Sequence, residues 1–253
     1  MKWLRLKPAY EEQPPLVLAR SGCGALYVEL CGHAAALRPS GALYLEDEGL
    51  LVAGDLHLEK GSSYAARGQL LPPYDTRATL ERLEAEIAAL QPRVVVLLGD
   101  SFHDARAVAR LAPEDARRIA ALGLGRDLVW VTGNHDVEGL LAFGPALPGE
   151  IVEEVRTGAL LLRHEPRAGL QPGEVSGHLH PAAKIVQAGR GVRRRCFLTD
   201  GSRMILPAFG AYAGGLNACD PAFHGLFDRP PLAAVLGQGQ VHPIAYAALC
   251  GDG

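Results

Sequence analysis

The sequence predicts an α/β protein in which two mixed β-sheets stack and helices cover the outside. Short apolar segments alternate with turn residues between positions 25 and 54, which is typical of antiparallel hairpins. Two continuous apolar runs follow helical patterns, VVVLL (94–98) and DLVWV (127–131). Such runs are typical of parallel strands buried on both faces. Strand-like segments return from about position 151, so the chain mixes βα crossovers with long β-rich stretches.

Two helical regions are predicted between the hairpins and the last buried run. The stretch 74–90 repeats leucine or isoleucine at helical spacing, and Asp75 or Thr76 can cap its start. A second helical stretch begins at about His103, with Pro113 suited to a new helix start and Gly123 to a stop.

The remaining elements are strands with tight turns. They are predicted at ALYVEL, AAALRPSG, ALYLEDEG and LLVAGD, and later at IVEEV (151–155), ALLLR (159–163), EVSGH (174–178), AKIVQAG (183–189), VRRRCFLT (192–199) and AVLGQGQVHPIAYA (234–247). We expect a loose N-terminal arm, residues 1–15, and a single domain, residues 16–253.

Composition narrows the class of protein. The chain has 48% hydrophobic and 21% charged residues, which is ordinary for a soluble globular protein, and its net charge of −3 lacks the basic signature of a general nucleic-acid binder. It has no run of 18 apolar residues and no apolar signal segment at its start, so no membrane association is expected. The five irregularly spaced cysteines favour reduced thiols in the cytoplasm.

Polar, ligand-capable side chains follow five predicted strands. The set comprises Asp55, His57, Asp100, Asn134, His164, His178 and His180. In the two pairs with a spacing of two, Asp55 with His57 and His178 with His180, a strand would place both side chains on one face. Because ligands of open α/β sheets bind beyond the strand ends, we expect these residues to meet at one edge.

The chemistry of this set indicates two metal ions. It contains no cysteine, which disfavours a structural zinc site, and its mixed oxygen and imidazole donors suit Mn²⁺, Fe²⁺, Ni²⁺ or Zn²⁺. Seven ligands are too many for one ion but fit two that share a bridging carboxylate, for which Asp100 is the candidate. With a bridging hydroxide as nucleophile, the site keeps a charge of about +1, which attracts phosphate.

The ordered motifs D-x-H, GD, GNHD, H and GHxH resemble those of the calcineurin-like metallophosphoesterase superfamily. This resemblance implies a four-layer αββα sandwich with a dinuclear metal centre. By motif, it implies one metal held by Asp55, His57, Asp100 and His180, and a second held by Asp100, Asn134, His164 and His178. It also implies that His135 faces the leaving oxygen and that Asp136 orients His135.

Longer strings narrow the resemblance. They are GDLHLEKGSSYAARGQLLPPYDT, LLGDSFHD, RHEP, SGHLHPAA and LTDGSRMILPAFGAYAGGLN, within residues 41–225. They resemble the bacterial ligase-associated endonucleases of the DNA-damage response. This implies a manganese-dependent phosphodiesterase that acts on DNA, single-stranded or structured, by a two-metal mechanism in repair, with a functional link to an ATP-dependent DNA ligase and a helicase. A homo-oligomer is compatible with the sequence.

Residues around the motifs are candidates for holding substrate. Lys60 and Arg67 follow the first motif in a predicted loop. His103 either approaches the substrate phosphate or caps the next helix. The run Arg193–Arg195 fits phosphate contact or a solvated edge strand that resists aggregation.

Phe209 and Tyr212, in a Gly-rich stretch after the last ligands, fit stacking on an unpaired base or core packing. Two other functions remain open from the residues alone. One is a phosphodiesterase or phosphomonoesterase for small molecules, such as a cyclic or mononucleotide. The other is an inactive scaffold, which the complete ligand set argues against.

Overall fold

The structure, a computed structural model, describes residues 16–69, 71–72, 74–134, 137–187 and 189–252. The predicted arm, residues 1–15, lies outside the described residues, as do His135 and Asp136. The division of the chain into an arm and a single domain therefore stays a prediction.

The first sheet contains the hairpins and the buried parallel runs. Its strands, in spatial and chain order, are β1 (Val17–Arg20), β2 (Leu26–Leu30), β3 (His33–Leu37), β4 (Leu43–Leu45), β5 (Leu50–Gly54), β6 (Val94–Leu98), β7 (Asp127–Val131) and β8 (Glu150–Val152). Pairing is antiparallel from β1 to β5 and parallel from β5 to β8. The helices of the crossovers are α1 (Lys60–Ala66), α2 (Asp75–Leu90), α3 (Ala107–Arg110), α4 (Pro113–Ala121) and α5 (Val137–Phe143).

The second sheet is built from the rest of the chain. Its strands are β9 (Glu154–Thr157), β10 (Leu160–Arg163), β11 (Glu174–Ser176), β12 (Ala182–Gln187), β13 (Arg190–Thr199), β14 (Met204–Ile205), β15 (Leu232–Gly237) and β16 (Gln240–Ala245). Their order is β16-β15-β13-β14-β11-β10-β9, with β12 paired to β13. The pairs β10–β11 and β11–β14 are parallel, so this sheet is mixed as well.

Three buried clusters follow the layers of the sandwich. One lies between the sheets and joins Val52, Val96 and Leu98 of the first to Leu162 and Phe197 of the second. A second packs the first sheet against its helices through Leu80, Leu83 and Trp130. The third covers the outer face of the second sheet around Phe223, which belongs to the 3-10 helix Pro221–Phe223. The predicted fold class, two mixed sheets flanked by helices, is confirmed.

The capping prediction for α2 is wrong. Its N-cap is Tyr74, with no side-chain hydrogen bond to the helix. The Asp75 carboxylate instead accepts the backbone N–H of Gly61, and the Thr76 hydroxyl donates to Glu59. The two side chains therefore fix the start of α1 rather than the start of their own helix.

The helix predicted from about His103 begins later. Leu58 and Phe102 form a parallel bridge, and the His103 N–H donates to the Leu58 carbonyl, so the chain stays extended there. The first helical turns are those of α3, which has Arg106 as its N-cap. His103 therefore does not cap that helix. Pro113 begins α4 as predicted, and α4 ends two residues before Gly123.

The predicted strand IVEEV, 151–155, is two strands in different sheets. β8 closes the parallel side of the first sheet, and β9 forms an edge of the second. Glu153 lies at the crossover, and its two neighbours pair with different partners. An alternating pattern cannot reveal such a change of sheet, because each half is a normal strand by itself.

Within the described ranges, no helix combines the length and apolar character needed to cross a bilayer.

Candidate metal centre

The predicted ligands follow strands of both sheets at one edge of the sandwich. Asp55 comes directly after β5, and Asp100 follows β6 by way of Gly99. His164 comes directly after β10, and His178 follows β11 by way of Gly177. Because β5 runs parallel to β6 and β10 parallel to β11, their carboxyl ends meet at the same edge.

The ligand spacing has a different origin from the predicted one. β5 ends at Gly54 and β11 at Ser176, so neither D-x-H nor H-x-H lies on a strand. The residues instead adopt left-handed backbone conformations: φ is 55° at Asp55, 45° at His57, 45° at Asp100, 66° at His178 and 47° at His180. Residues other than glycine rarely adopt such angles, and strain of this kind concentrates at functional sites.

Neighbouring loops hold these turns in place through their backbones. The Asp55 N–H donates to the Gly99 carbonyl over 3.1 Å, and the His57 N–H to the Asp100 carbonyl over 2.8 Å. Across the sheets, the His178 N–H donates to the Asp55 carboxylate at 3.0 Å. These hydrogen bonds therefore join the D-x-H, GD and GHxH motifs to one another.

Two glycines are needed for this close approach. A Cβ on Gly99 would overlap the His164 ring, and one on Gly177 would overlap the Asp55 carboxylate. Gly99 and Gly177 are therefore points where the ligand of another motif passes.

The first group of donors is Asp55, His57 and His180. Nε2 of His57 and Nε2 of His180 lie 3.3 Å apart, and His180 Nε2 lies 3.0 Å from Asp55 Oδ1. Their donor atoms all lie within 4.8 Å of one another. Three donors that converge in this way match the three protein ligands of a catalytic metal site.

The second group is Asp100, His164 and His178. His178 Nδ1 and His164 Nε2 lie 3.2 Å apart. Asp100 faces both groups, because Oδ1 lies 3.5 Å from His164 Nε2 and Oδ2 lies 3.9 Å from His57 Nε2. One carboxylate with its two oxygens on two donor groups is the geometry of a bridging ligand.

Burial and protonation also fit divalent metal ions. Asp55, Asp100, His57 and His164 are buried. Burial lowers the pKa of His57 to about 4, although the Asp55 carboxylate opposes the shift, so this imidazole is neutral as a ligand must be. His57 Nδ1 is buried and has no hydrogen-bond partner among the described residues. The two groups provide sites for two divalent ions.

The GNHD motif is described only in part. Asn134 follows β7 and is exposed. Gly133 places this turn against Asp100, because a Cβ there would overlap the Asp100 carboxylate. The sequence-derived roles of Asn134 as a ligand and of His135 and Asp136 in catalysis stay predictions, since His135 and Asp136 lie outside the described residues.

Of the three predicted substrate contacts, His103 lies beside the first donor group, while Lys60 and Arg67 lie at the two ends of α1. The His103 ring lies 5.9 Å from the His57 ring, centroid to centroid. Lys60 begins α1, and burial lowers the pKa of its ammonium while Asp75 opposes that shift. Arg67 is exposed at the C-cap of α1. Contact of any of them with substrate stays a prediction.

The arginine run is largely committed to the chain's own backbone. Arg193 donates to the Gly215 carbonyl at 2.7 Å, and Arg195 donates to the Ala208 carbonyl at 2.6 Å. Arg194 is exposed and donates to the Arg193 carbonyl. The run therefore holds the segment 207–217, a role that neither of the two sequence interpretations contained.

The two aromatic residues of that segment differ. Phe209 is fully buried, and Arg82 lies 4.5 Å over its ring, so the core-packing interpretation applies to it. Tyr212 donates its hydroxyl hydrogen to the Pro72 carbonyl at 2.9 Å.

Sequence reasoning missed a polar network beside the first motif. Glu59 is buried and accepts from Ser62 and Thr76, while Arg110 donates to Ser62 at 2.9 Å and to Asp104 at 3.0 Å. No local pattern marks it, because its members come from four separate parts of the chain. The one signal is Glu59, a charged residue that follows the apolar and ligand-bearing string LHL.

Comparison with known proteins agrees with this geometry. A family model described as calcineurin-like phosphoesterase matches residues 50–201, more than half of the chain. The chain therefore belongs to the calcineurin-like phosphoesterase family, as its motifs predicted.

Among solved structures, the nuclease MPE of Pseudomonas putida is similar. It is 28% identical, the match covers 87% of this chain and 100% of that chain, and the TM-score is 0.65. Yfce, a phosphoesterase from E. coli, is 16% identical over 78% of this chain and 98% of that chain, with a TM-score of 0.40. No curated protein sequence matches the chain.

Proposed function

We propose that this phosphoesterase is an endonuclease that hydrolyses phosphodiester bonds of DNA with two divalent metal ions. The observation that carries the proposal is the pair of donor groups joined by Asp100. The nature of the similar P. putida protein, a nuclease, supports DNA as the substrate. Mn²⁺ is the ion we expect, and Fe, Ni and Zn suit the same donors.

In this proposal each side chain has a definite task. Asp55, His57 and His180 would hold one ion, Asn134, His164 and His178 would hold the other, and Asp100 would serve both. When bound, the two ions supply positive charge to the phosphate oxygens and lower the pKa of a water molecule. The buried carboxylates keep the imidazoles oriented, and the left-handed turns fix the distance between the groups.

The GNHD loop would assist departure of the leaving oxygen. We propose that His135 donates a proton or hydrogen bond to the leaving oxygen and that Asp136 orients its ring. His103, beside the first donor group, and Lys60, at the start of α1, would contact the phosphate. A role in DNA repair with an ATP-dependent ligase and a helicase, a cytoplasmic location and a homo-oligomeric state stay predictions from the sequence.

The test uses circular single-stranded DNA, which only an endonuclease can open. Purified protein should linearise the circle with Mn²⁺ and lose this activity in chelator. Asp127→Ala is the matched control for Asp100→Ala. Asp127 is an exposed aspartate at the amino end of β7, whereas the predicted ligands follow the carboxyl ends of the strands. Metal-dependent hydrolysis of a nitrophenyl phosphate ester without any cutting of DNA would instead favour a small-molecule phosphoesterase. Full activity in chelator would contradict the proposal as a whole.

A further inference from the structure

A surface groove of 390 Å³ lies between α1 and the segment 104–110. Arg67 lines it from the α1 side, and Asp104, Arg106 and Arg110 line it from the other. We call these residues, with the small side chains between them, the α1 groove. None of the predicted metal ligands lines it, so its chemistry is separate from that of the metal centre.

The α1 groove carries uncompensated positive charge. Arg110 lies 3.0 Å from both oxygens of Asp104. Burial raises the pKa of Asp104, but hydrogen bonds from Ser63 and Arg110 outweigh it and lower the pKa overall, so this carboxylate stays ionised and paired. Arg67 and Arg106 are exposed, and within the described part of the chain neither forms an ion pair. Two guanidinium groups, one on each side of the groove, therefore remain for an anion.

An aromatic series connects α1 to the metal centre. The ring of Tyr64, a half-buried residue of α1, stacks on His103 with centroids 6.0 Å apart and planes at 27°. His103 in turn meets His57 edge-on at 5.9 Å. Tyr64 is thus separated from a predicted ligand by a single ring. It lies on α1, one position after the groove residue Ser63 and three positions before Arg67, the C-cap of that helix.

Hydrogen bonds fix this surface in advance. Arg110 joins α1 to the segment 104–110, because it donates to Ser62 as well as to Asp104. Ser62 also donates to Glu59, and the N–H of Gly61 donates to Asp75 of α2. The backbone of α1 and of the segment 104–110 is therefore held in place before a ligand binds, which lowers the entropic cost of binding.

We propose that Tyr64, Arg67 and Arg106 form a subsite for the nucleotide next to the scissile phosphate. The unpaired base of that nucleotide stacks on Tyr64, and the following backbone phosphate lies between Arg67 and Arg106. This inference rests on the proposed function and specifies its substrate. Since a base can stack on a side chain only when it is not paired, the subsite selects single strands or unpaired ends over duplex.

The first experiment separates the base from the phosphate. The substrates for Mn²⁺-loaded protein are nitrophenyl diesters of two kinds, which differ only in the base: esters of thymidine phosphate and the same esters of abasic deoxyribose phosphate. Each kind is tested with the phosphate at the 5′ position and with the phosphate at the 3′ position. The preference in kcat/KM for the base-bearing ester should fall about tenfold in Tyr64→Ala, since base stacking of this kind changes binding by about that factor. Tyr64→Phe should keep the preference, because the ring is retained.

Tyr74→Ala is the matched control, since Tyr74 is 67% exposed and lies at the N-cap of α2. It should retain the wild-type preference. An equal fall of kcat/KM on both esters in Tyr64→Ala would overturn the stacking role and leave Tyr64 as packing for His103.

The second experiment addresses the phosphate. The slope of log kcat/KM against log salt for a single-stranded oligonucleotide should become shallower by about 0.7 in Arg67→Ala/Arg106→Ala, because both guanidinium groups neutralise the same phosphate and one phosphate contact to a single strand contributes about 0.7. Arg117→Ala, an exposed arginine of α4, should not change the slope. An unchanged slope in the double variant would overturn the phosphate contact.

The inference can be wrong while the proposed function still holds. If the protein hydrolyses no phosphodiester with Mn²⁺, the proposed function fails. If it cuts single-stranded DNA but neither variant behaves as expected, the α1 groove is not the subsite, while the metal centre remains as proposed. A salt effect of Arg67→Ala/Arg106→Ala that is as large on duplex as on single strands would contradict the selection of unpaired bases.

Discussion

The two sheets contribute different chemistry to the metal centre. The first sheet brings Asp55 and Asp100, both buried carboxylates, together with His57. The second brings three imidazoles, His164, His178 and His180. The negative charge that compensates two cations therefore comes from one sheet, while the other supplies neutral donors. The first sheet is expected to determine whether ions bind at all, and the second to determine where each ion lies.

The sheets also differ in how they support their ligands. In the first, parallel neighbours bond loop to loop, as in the 2.8 Å hydrogen bond from His57 to the Asp100 carbonyl. In the second, the loop between β10 and β11 is anchored by buried Arg203, which donates to Glu174 and to the Gly169 carbonyl. The second sheet also has a backbone hydrogen bond of the first kind, from the Gly177 N–H to the His164 carbonyl at 3.0 Å, so the support that distinguishes it is the buried Arg203 side chain.

The largest expected effect comes from the carboxylate that serves both groups. Asp100→Ala should reduce kcat/KM for DNA by at least about 10⁴-fold, because each metal ion contributes several kcal/mol and about 1.4 kcal/mol is a factor of ten. Metal content should fall from about two ions per chain, as elemental analysis would measure. His178→Ala, in the second sheet, should lose one metal ion, and its loss of activity should be smaller than that of Asp100→Ala.

The comparison between the sheets depends on that ranking. If Asp100→Ala keeps two ions and near-normal turnover, Asp100 is not the bridge. If His178→Ala is the more damaging of the two, the second sheet does more than position neutral donors.

His135→Ala tests a group that we assign to the reaction and not to an ion. Metal content should stay near two ions per chain, while kcat falls by about 10²- to 10⁴-fold, the usual range for a proton donor. The loss should be greater for a DNA diester, whose alkoxide leaves poorly, than for a nitrophenyl ester. Equal losses on both would indicate phosphate binding, and loss of an ion would make His135 a ligand.

Much of this site was predictable from residue order alone. The motifs predicted the six aspartates and histidines that the structure brings together in two donor groups, and the fold class followed from apolar runs and hairpins. The reason for the D-x-H spacing was wrong, because it assumed strand periodicity, whereas Asp55 and His57 lie in left-handed turns after β5. Sequence patterns report side-chain type well but carry little information on backbone angles of residues other than glycine.

The arginines show the opposite problem. The contiguous run Arg193–Arg195 attracts attention in the sequence, yet two of its guanidinium groups bond to carbonyls of the segment 207–217. Arg67 and Arg106 are 39 positions apart in the chain and meet at one groove. Which arginines remain available depends on tertiary contacts, and local composition does not contain them.

Gly99→Ala tests the point where the two sheets touch. A methyl group there would overlap His164, so the ring must move away from Asp100. We expect metal affinity at the second group to fall about 10- to 100-fold, the range for ligands that lose their orientation. Gly125→Ala is the matched control, because φ is 75° at Gly99 and 73° at Gly125, but a Cβ at Gly125 meets nothing within 4 Å.

Both variants share the strain of a left-handed alanine, so any difference between them measures the contact with His164. Isothermal titration calorimetry would measure the metal affinity of each variant. Equal affinities in Gly99→Ala and Gly125→Ala would show that His164 adapts without loss, and that the sheets are less tightly coupled than the structure indicates.

The smallest expected effect concerns the segment 208–210, which hydrogen-bonds to both sheets and which we call the strap. Arg195, on β13 of the second sheet, donates to the Ala208 carbonyl at 2.6 Å, and the next residues of that segment, Phe209 and Gly210, donate to the carbonyls of Gly54 and Asp55 in the first sheet. Burial lowers the pKa of Arg195, so its charge is partly desolvated.

Arg195→Ala should lower the free energy of unfolding by about 1–3 kcal/mol, the range for hydrogen bonds from charged groups. Arg194→Ala, which alters an exposed neighbour, should change it by less than about 0.5 kcal/mol. Urea unfolding of the metal-free protein measures both values without interference from the ions. If the two variants are equally stable, the strap does not depend on Arg195, and the first sheet holds the Asp55 loop without help from the second.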